Sequence, residues 1–381
     1  MGFFYNGGGE RTVLNQAHGL KNLGYEVQVY APTISLECFP ELQKGIEMIE
    51  LNKWLPKDLP MRASLGMIIS SLNIPYKEII DNDVIISHAQ PSNWIAYAVN
   101  KKYQIPYIAY LHQVNRFFKP RDIDKKVGWS TNKDIALLDL LHKGNIFIKK
   151  LDDISIKNAD LIFTNSKWIR EQIKSYYNSD SLVCYPGVDV NKFRYSCTNK
   201  KRKYILSTNR HYPQKRIDYI IKCMKYLVPQ FDDVKCIITG GFTNHTMELI
   251  KLRDELGLKD RVIFTGNINN NKLIKLYKNA YIYAYTSPEE DFGLGPIESG
   301  ACGTPSVVWD HAGPRETVID GVTGYRIEPY NLEDMVEHHK LLLEKEDLRN
   351  TLGKNASEHV KEKFTWEKHC EKIHEHIQLL V

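Results

Sequence analysis

Two glutamates, Glu290 and Glu298, stand eight positions apart around Asp291-Phe292-Gly293-Leu294-Gly295-Pro296-Ile297. The apolar run Ala280 to Tyr285 ahead of them reads as a buried parallel strand. The small-residue segment Ile297 to Cys302 reads as the start of a helix. A strand–turn–helix unit of this kind holds ligands at the strand's carboxyl end, where helix N-termini offer free N–H groups. Gly293 and Gly295 let the backbone come close to such a ligand. Upstream, Arg210 and Lys215 stand five apart in a loop that leads from a strand into a helix. Cations at a helix start oppose the macrodipole, so this placement calls for an anion. The guanidinium can grip a phosphate through two hydrogen bonds, and the ammonium acts as a point charge. A departing phosphate is neutralised either by a metal on carboxylates or by protein cations and helix N-termini. These residues favour the second route.

The elements that position them alternate strand and helix through the whole chain. Gly2 to Tyr5 reads as a short first strand, followed by the glycine loop Asn6 to Thr12. A helix with Val13, Leu14, Ala17 and Leu20 on one face comes next, then a strand over Tyr25 to Ala31. The glycine loop opens a helix and can offer N–H groups to a phosphate, or it is a tight turn without a ligand. It has neither the Lys-Ser/Thr of a P-loop nor a dinucleotide fingerprint. Two further strands, Asp83 to Ser87 and Tyr107 to Leu111, each end at a histidine, His88 and His112. Ala159 to Ser166 reads as a strand running into a capped helix that ends near Tyr177. Pro186-Gly187-Val188-Asp189 closes this half, and the polar stretch 187–202 reads as a linker. The second half restarts with strands at Tyr204–Thr208, Val234–Thr239 and Arg261–Thr265, the last ending in Gly266-Asn267-Ile268. Strands at Ser306–Trp309 and Tyr325–Ile327 follow the two-glutamate unit.

The pair Glu290 and Glu298 with Asp-Phe-Gly-Leu between them matches the E-x7-E motif of retaining glycosyltransferases. With Gly300-Ala301-Cys302-Gly303-Thr304-Pro305, Gly313-Pro314-Arg315-Glu316-Thr317-Val318 and Gly321-Val322-Thr323-Gly324-Tyr325, the segment resembles the donor-binding half of glycosyltransferase family 4. The resemblance extends, more loosely, over the first half. It implies an α/β chain of GT-B fold: two Rossmann-like domains facing across a deep cleft, with a C-terminal helix crossing back to the N-domain. The expected domains are 1–187 on the acceptor side and 203–362 for the nucleotide sugar, with 363–381 as the crossover helix. The resemblance assigns His112 and Glu290 to the sugar site as catalytic residues. It assigns Gly8, Gly9, Arg210, Lys215, Gly266, Ile268, Phe292, Gly293, Leu294 and Glu298 to donor binding, with Glu298 on the ribose hydroxyls. It implies a retaining, metal-independent transfer of a hexose, with mannose favoured. The donor would be a GDP- or UDP-linked sugar, and the acceptor a glycan or a lipid-linked glycan. No cofactor beyond that co-substrate is expected. Two alternatives stay open: a non-catalytic nucleotide-sugar-binding subunit of a transferase complex, and a GT-B sugar-nucleotide epimerase.

The remaining features narrow the class. At 381 residues the chain exceeds one typical core, so two domains are the default. The net charge of +5 suits an anionic ligand or an acidic membrane surface without demanding nucleic acid, and no basic stripe or nucleic-acid module appears. Seven scattered cysteines without C-x-x-C spacing fit a reducing, cytoplasmic setting. No apolar run reaches the roughly 18 residues needed to span a bilayer. The segment 112–150 carries nine Lys and Arg against four Asp, interleaved with Phe117, Phe118, Trp129, Ile146 and Phe147. It reads either as a peripheral contact with an anionic membrane or acceptor, or as a solvated loop and helix. Asp81-Asn82-Asp83 has the form of a metal-binding D-x-D, but it precedes its strand and so reads as a cap. The pair Cys370 and His374 has helical metal spacing, yet packing is the expected role of that last helix.

Overall fold

The computed structural model describes residues 2–3, 6–56, 62–127, 145–195 and 202–381. Its contacts divide the chain into two compact units, Met1–Gly187 with Trp366–Val381, and Val188–Thr365.

The first unit carries two parallel sheets. One pairs β1 (Gln28–Ala31) with β2 (Glu47–Glu50). The other runs in the order β3 (Ile85–His88), β4 (Tyr107–Leu111), β5 (Leu161–Thr164) and β6 (Leu182–Val183). All five residues of β4 are buried, which explains its unbroken apolar run: helices cover both faces of a parallel sheet. The first helix, Gly8–Asn22, buries Leu14, Ala17 and Leu20. Ser166 caps the helix Lys167–Tyr177 by accepting from the Ile169 N–H, as a serine at a helix start is suited to do. The last helix, Trp366–Ile377, belongs to this unit and packs Ile373 and Ile377 against Leu20, Ile108, Tyr110 and Phe163.

The first strand expected over Gly2 to Tyr5 is not formed among the described residues. Phe3 makes a single parallel bridge to Ile34. Asp81–Asp83 precede β3, at its amino end. The middle of the basic, aromatic segment, including Trp129, Lys133, Asp134, Asp139 and Lys143, lies outside the described residues, as does Cys197. Its described end begins the helix Ile146–Lys157, where Ile146 and Phe147 are exposed beside Lys149 and Lys150. No described helix is long and apolar enough to cross a membrane.

The second unit is one six-stranded parallel sheet. Its strands are β7 (Arg202–Thr208), β8 (Lys235–Thr239), β9 (Val262–Gly266), β10 (Ala280–Tyr285), β11 (Ser306–Trp309) and β12 (Gly324–Ile327). Their spatial order is β12-β11-β10-β7-β8-β9. This is the doubly wound order, which starts in the middle, runs to one edge and returns to build the other. Its core gathers Ile217, Ile220, Ile221 and Met224 from one helix face with Ile205, Ile238, Ile282 and Trp309 from the strands. The unit begins at Val188, before the residue 203 expected from sequence. Val188 bridges Thr365 and its N–H donates to the Phe364 carbonyl, so the described part of the expected linker, through Tyr195, belongs to the second sheet's surroundings. The last helix starts at Trp366, because the helix before it continues to Lys363.

Candidate functional site

The strand order of the second sheet reverses between β7 and β10, which lie side by side. Loops leaving the carboxyl ends of two such strands diverge to opposite faces and leave room for a ligand. The loop after β7 carries Arg210 and Lys215; the loop after β10 carries Glu290. They meet there. The Lys215 ammonium donates to Glu290 Oε2 at 2.5 Å, across 75 positions of sequence, and lies 3.5 Å from Ser287 Oγ. Ser287 donates to the same carboxylate oxygen at 2.7 Å. Thr286 fastens the two loops by donating to the carbonyls of Lys215 and Arg216, both at 3.0 Å. Lys215 and Glu290 retain 21% and 16% side-chain exposure, enough for an incoming group to reach both. Arg210 lies on the same loop as Lys215, is exposed, and stacks over the Tyr212 ring at 5.4 Å.

Glu298 is held differently. It sits inside the helix Leu294–Ala301 and is 5% exposed. Tyr277 donates to its Oε2 at 2.9 Å. The Tyr277 hydroxyl also lies 2.7 Å from Thr208 Oγ1, which lies 2.8 Å from the Tyr283 hydroxyl. Each hydroxyl has one proton. With Tyr277 donating to the carboxylate, Thr208 donates to Tyr277 and Tyr283 donates to Thr208. The relay therefore points every proton towards Glu298. Burial, reinforced by the carboxylate, holds the Tyr277 phenol pKa well above its usual value, so it remains a donor.

The two turn glycines have separate reasons. Gly293 caps the helix with φ +92°, a backbone shape that favours glycine. At Gly295 a Cβ would stand 2.0 Å from the Tyr283 hydroxyl. Its smallness therefore admits the end of the relay. Leu294 opens the helix, and Phe292 is buried with its ring edge-on to Phe364. Gly266 ends β9 at φ +67°, and Ile268 follows in the turn before the helix Asn270–Asn279; β8 separates that strand from β7. Sequence reasoning missed Ser287, Thr208, Tyr277 and Tyr283. The clue was present in β10, where tyrosines occupy every second position of a strand otherwise built of Ile and Ala.

In the first unit, Gly8 and Gly9 open the first helix. His112 follows β4 and faces His88 at the end of β3, with His88 Nδ1 3.0 Å from His112 Nε2. Both rings stack near Tyr110, which also touches His369. Burial, with His369 adding to it, lowers the His112 pKa to about 3. Burial and the neighbouring histidines push His88 well below its usual value. Both imidazoles are thus neutral near pH 7, able to exchange hydrogen bonds but not to supply positive charge. Asn165 donates to the His112 carbonyl at 3.0 Å and fixes the turn. Among the described residues no group of three or more His, Cys, Asp or Glu is placed to hold a metal.

These depressed histidines tie stability to pH. Above about pH 6.5 they are neutral whether folded or unfolded, and their full contribution to stability is present. Below it the unfolded chain takes up protons that the folded one refuses, and stability falls progressively towards pH 3. Thermal unfolding should therefore show a melting temperature lower by about 3 °C or more at pH 5 than at pH 7. His112→Gln should flatten that dependence. An unchanged slope would remove the histidine pair from the acid response.

Comparison with known proteins places these features. The family described as Glycosyltransferase Family 4 matches residues 6–192, and that described as Glycosyl transferases group 1 matches residues 190–359. The chain is 28% identical over 227 residues to a D-inositol 3-phosphate glycosyltransferase of Mycolicibacterium smegmatis, covering 55% of this chain and 51% of that one. It is 32% identical over 179 residues to the O-antigen chain mannosyltransferase RfbU of Salmonella typhimurium, covering 46% and 49%. The chain thus spans about half the length of these two relatives. The alpha-1,3/1,6-mannosyltransferase ALG2 of Mus musculus is 22% identical, with 98% of this chain and 94% of that one covered. Among solved structures, HepE of Anabaena, crystallised with UDP, superposes with a TM-score of 0.74 at 18% identity, covering 98% and 96%. WaaG, a glycosyltransferase of lipopolysaccharide biosynthesis, does so at 0.74 and 15% identity, covering 99% and 97%. These likenesses show the GT-B fold expected from the sequence. With both halves matched in their expected order, the chain belongs to the family 4 glycosyltransferases.

Proposed function

We propose that this chain is a retaining glycosyltransferase that moves a hexose, mannose, from a nucleotide-diphosphate sugar to a glycan or lipid-linked acceptor without a metal. The observation that carries the reading is the meeting of Lys215 and Glu290 at the carboxyl ends of β7 and β10. In the absence of a ligand each charge neutralises the other. A diphosphate reaching the loops offers the ammonium a doubly charged partner, and Arg210 on the same loop adds a second cation. Glu290, released, faces the sugar, where a carboxylate favours positive charge at the anomeric carbon as the bond to the diphosphate lengthens. Glu298, aimed by the tyrosine relay, accepts the ribose hydroxyls. Neutral His112 contributes hydrogen bonding to the sugar. The choice of mannose is supported by the names of two relatives, and the nucleotide donor by the UDP and UDP-glucose complexes of HepE. A lipid-linked acceptor suits the exposed Ile146 and Phe147 beside two lysines. A thermal-shift panel of GDP- and UDP-sugars, followed by transfer assays with the stabilising donor, tests the substrate class, since a ligand of the native state raises its melting temperature.

Lys215→Ala should lower turnover by ~10²-fold or more, the effect of losing one preorganised charge donor. Near-normal turnover would take Lys215 out of the phosphate site. Transfer should continue in EDTA with the anomeric configuration kept; activity abolished by EDTA and restored by a divalent metal would defeat the metal-independent reading. Tyr277→Phe should raise KM for the donor about 10-fold with little change in kcat, because it removes one hydrogen bond that positions Glu298. If the variant merely melts earlier and binds donor normally, Tyr277 is structural only.

A further inference from the structure

The turn that carries Glu290 is gripped from two sides. β10 lies between β7 and β11, so the loops leaving the carboxyl ends of these three strands are neighbours. On the β7 side stand the contacts of Lys215 and Thr286. On the β11 side the grip comes from residues 310–313. The Nδ1 of His311, a half-buried side chain, accepts from the Glu289 N–H at 3.1 Å. The Gly313 N–H donates to the Glu290 carbonyl at 2.9 Å. The two bonds bracket the glutamates: one holds the peptide ahead of Glu289, the other the peptide after Glu290. Gly313 acts through its backbone alone, since a Cβ there would stand 2.4 Å from the Phe292 Cα.

Glu289 is a residue that needs holding. Its φ is +50°, a left-handed shape that a residue with a side chain keeps only where its surroundings impose it. Ala312 in the bracing loop, at +53°, and Arg216 directly after Lys215, at +48°, share that shape. Three adjacent loops thus each turn on a left-handed residue other than glycine. A turn of this kind relaxes when a bond that imposes it is removed, and the side chain next along the backbone shifts with it. That side chain is Glu290.

The chemistry of the bond is specific. A backbone N–H can only donate, so Nδ1 must be bare, and the neutral ring then carries its proton on Nε2. A ring protonated at Nδ1 cannot hold the turn.

We infer that His311 is a positioning residue for the transfer: through Nδ1 it fixes the turn that aims Glu290 at the donor sugar. The inference rests on the transferase reading of Glu290. His311 then serves the chemical step more than donor capture, because the cations for the diphosphate, Arg210 and Lys215, are carried by the loop after β7.

The test compares His311→Leu, which keeps bulk without the acceptor, with His311→Asn, whose Oδ1 can stand where Nδ1 does. His311→Leu should lower kcat about 10-fold with the donor KM changed by less than about 2-fold, and should speed hydrogen exchange of the Glu289 amide roughly 10-fold. His311→Asn should restore both. In the unaltered chain, nitrogen NMR of the imidazole should show a bare Nδ1 and a protonated Nε2. The inference is overturned by a ring protonated at Nδ1, by unchanged exchange in His311→Leu, or by faster exchange with full kcat. It is also overturned if His311→Asn is as impaired as His311→Leu. Should His311→Leu fail to fold, the ring tautomer and the activity of His311→Asn decide the matter. If the unaltered chain transfers no sugar, the transferase reading falls by itself, while the exchange and ring measurements still decide whether His311 holds the turn.

Discussion

The adjacency of β7 and β10 is the constraint on which the candidate site depends. Because the second sheet is wound from its middle outwards, the strand that starts it and the strand that starts its return are neighbours. Their loops arrive at one point from distant parts of the chain. The Lys215–Glu290 contact, the Thr286 fastening and the entry of the Leu294–Ala301 helix all follow from that placement. The short salt bridge is not a strong stabiliser in itself; a pair of this partial exposure gains little over its hydrated ions. Its significance is that two opposite charges, each balanced by the other, are kept in place at the carboxyl ends of adjacent strands.

The carboxylate eight residues further on is managed by a different device. Glu298 is buried, and a buried charge is tolerated only when hydrogen-bonded. The Tyr283–Thr208–Tyr277 relay meets that need and also fixes the direction in which the carboxylate looks. Gly295 belongs to this arrangement, because any side chain there would occupy the space of the Tyr283 hydroxyl. One loop and one helix therefore carry two glutamates with opposite habits: Glu290 held by a cation and partly exposed, Glu298 held by neutral hydroxyls and enclosed. The first unit offers a third habit in the neutral pair His88 and His112, whose mutual hydrogen bond requires that at least one ring stay unprotonated.

Much of the architecture is legible in the residue pattern. Ala280–Tyr285 and Ser306–Trp309 are strands to the residue, and the Ser166 cap and its helix are visible in the run from Asn165 to Tyr177. Buried parallel strands announce themselves as continuous apolar runs, and helix starts as capping side chains. Sequence and structure part where local pattern is ambiguous. Gly2 to Tyr5 has a strand's composition, yet one bridge to Ile34 is all that its described part makes. The polar stretch after Gly187 has a linker's composition, but Val188 is tied to Phe364 and Thr365. Lys215 and Glu290 were each singled out along the sequence, but no spacing rule would have paired them.

The order of residues is enough to fix the alternation of strands and helices, the split into two halves, and the glycine-flanked glutamate pair that marks the family. Each of these is written in residues close together, where periodicity, capping and turn chemistry act. Folding was needed to rest Lys215 on Glu290, to line up three hydroxyls towards Glu298, and to set Gly295 against the Tyr283 hydroxyl. Those facts depend on which strands lie next to one another, and strand order is set by the packing of the whole sheet, not by any local pattern along the chain.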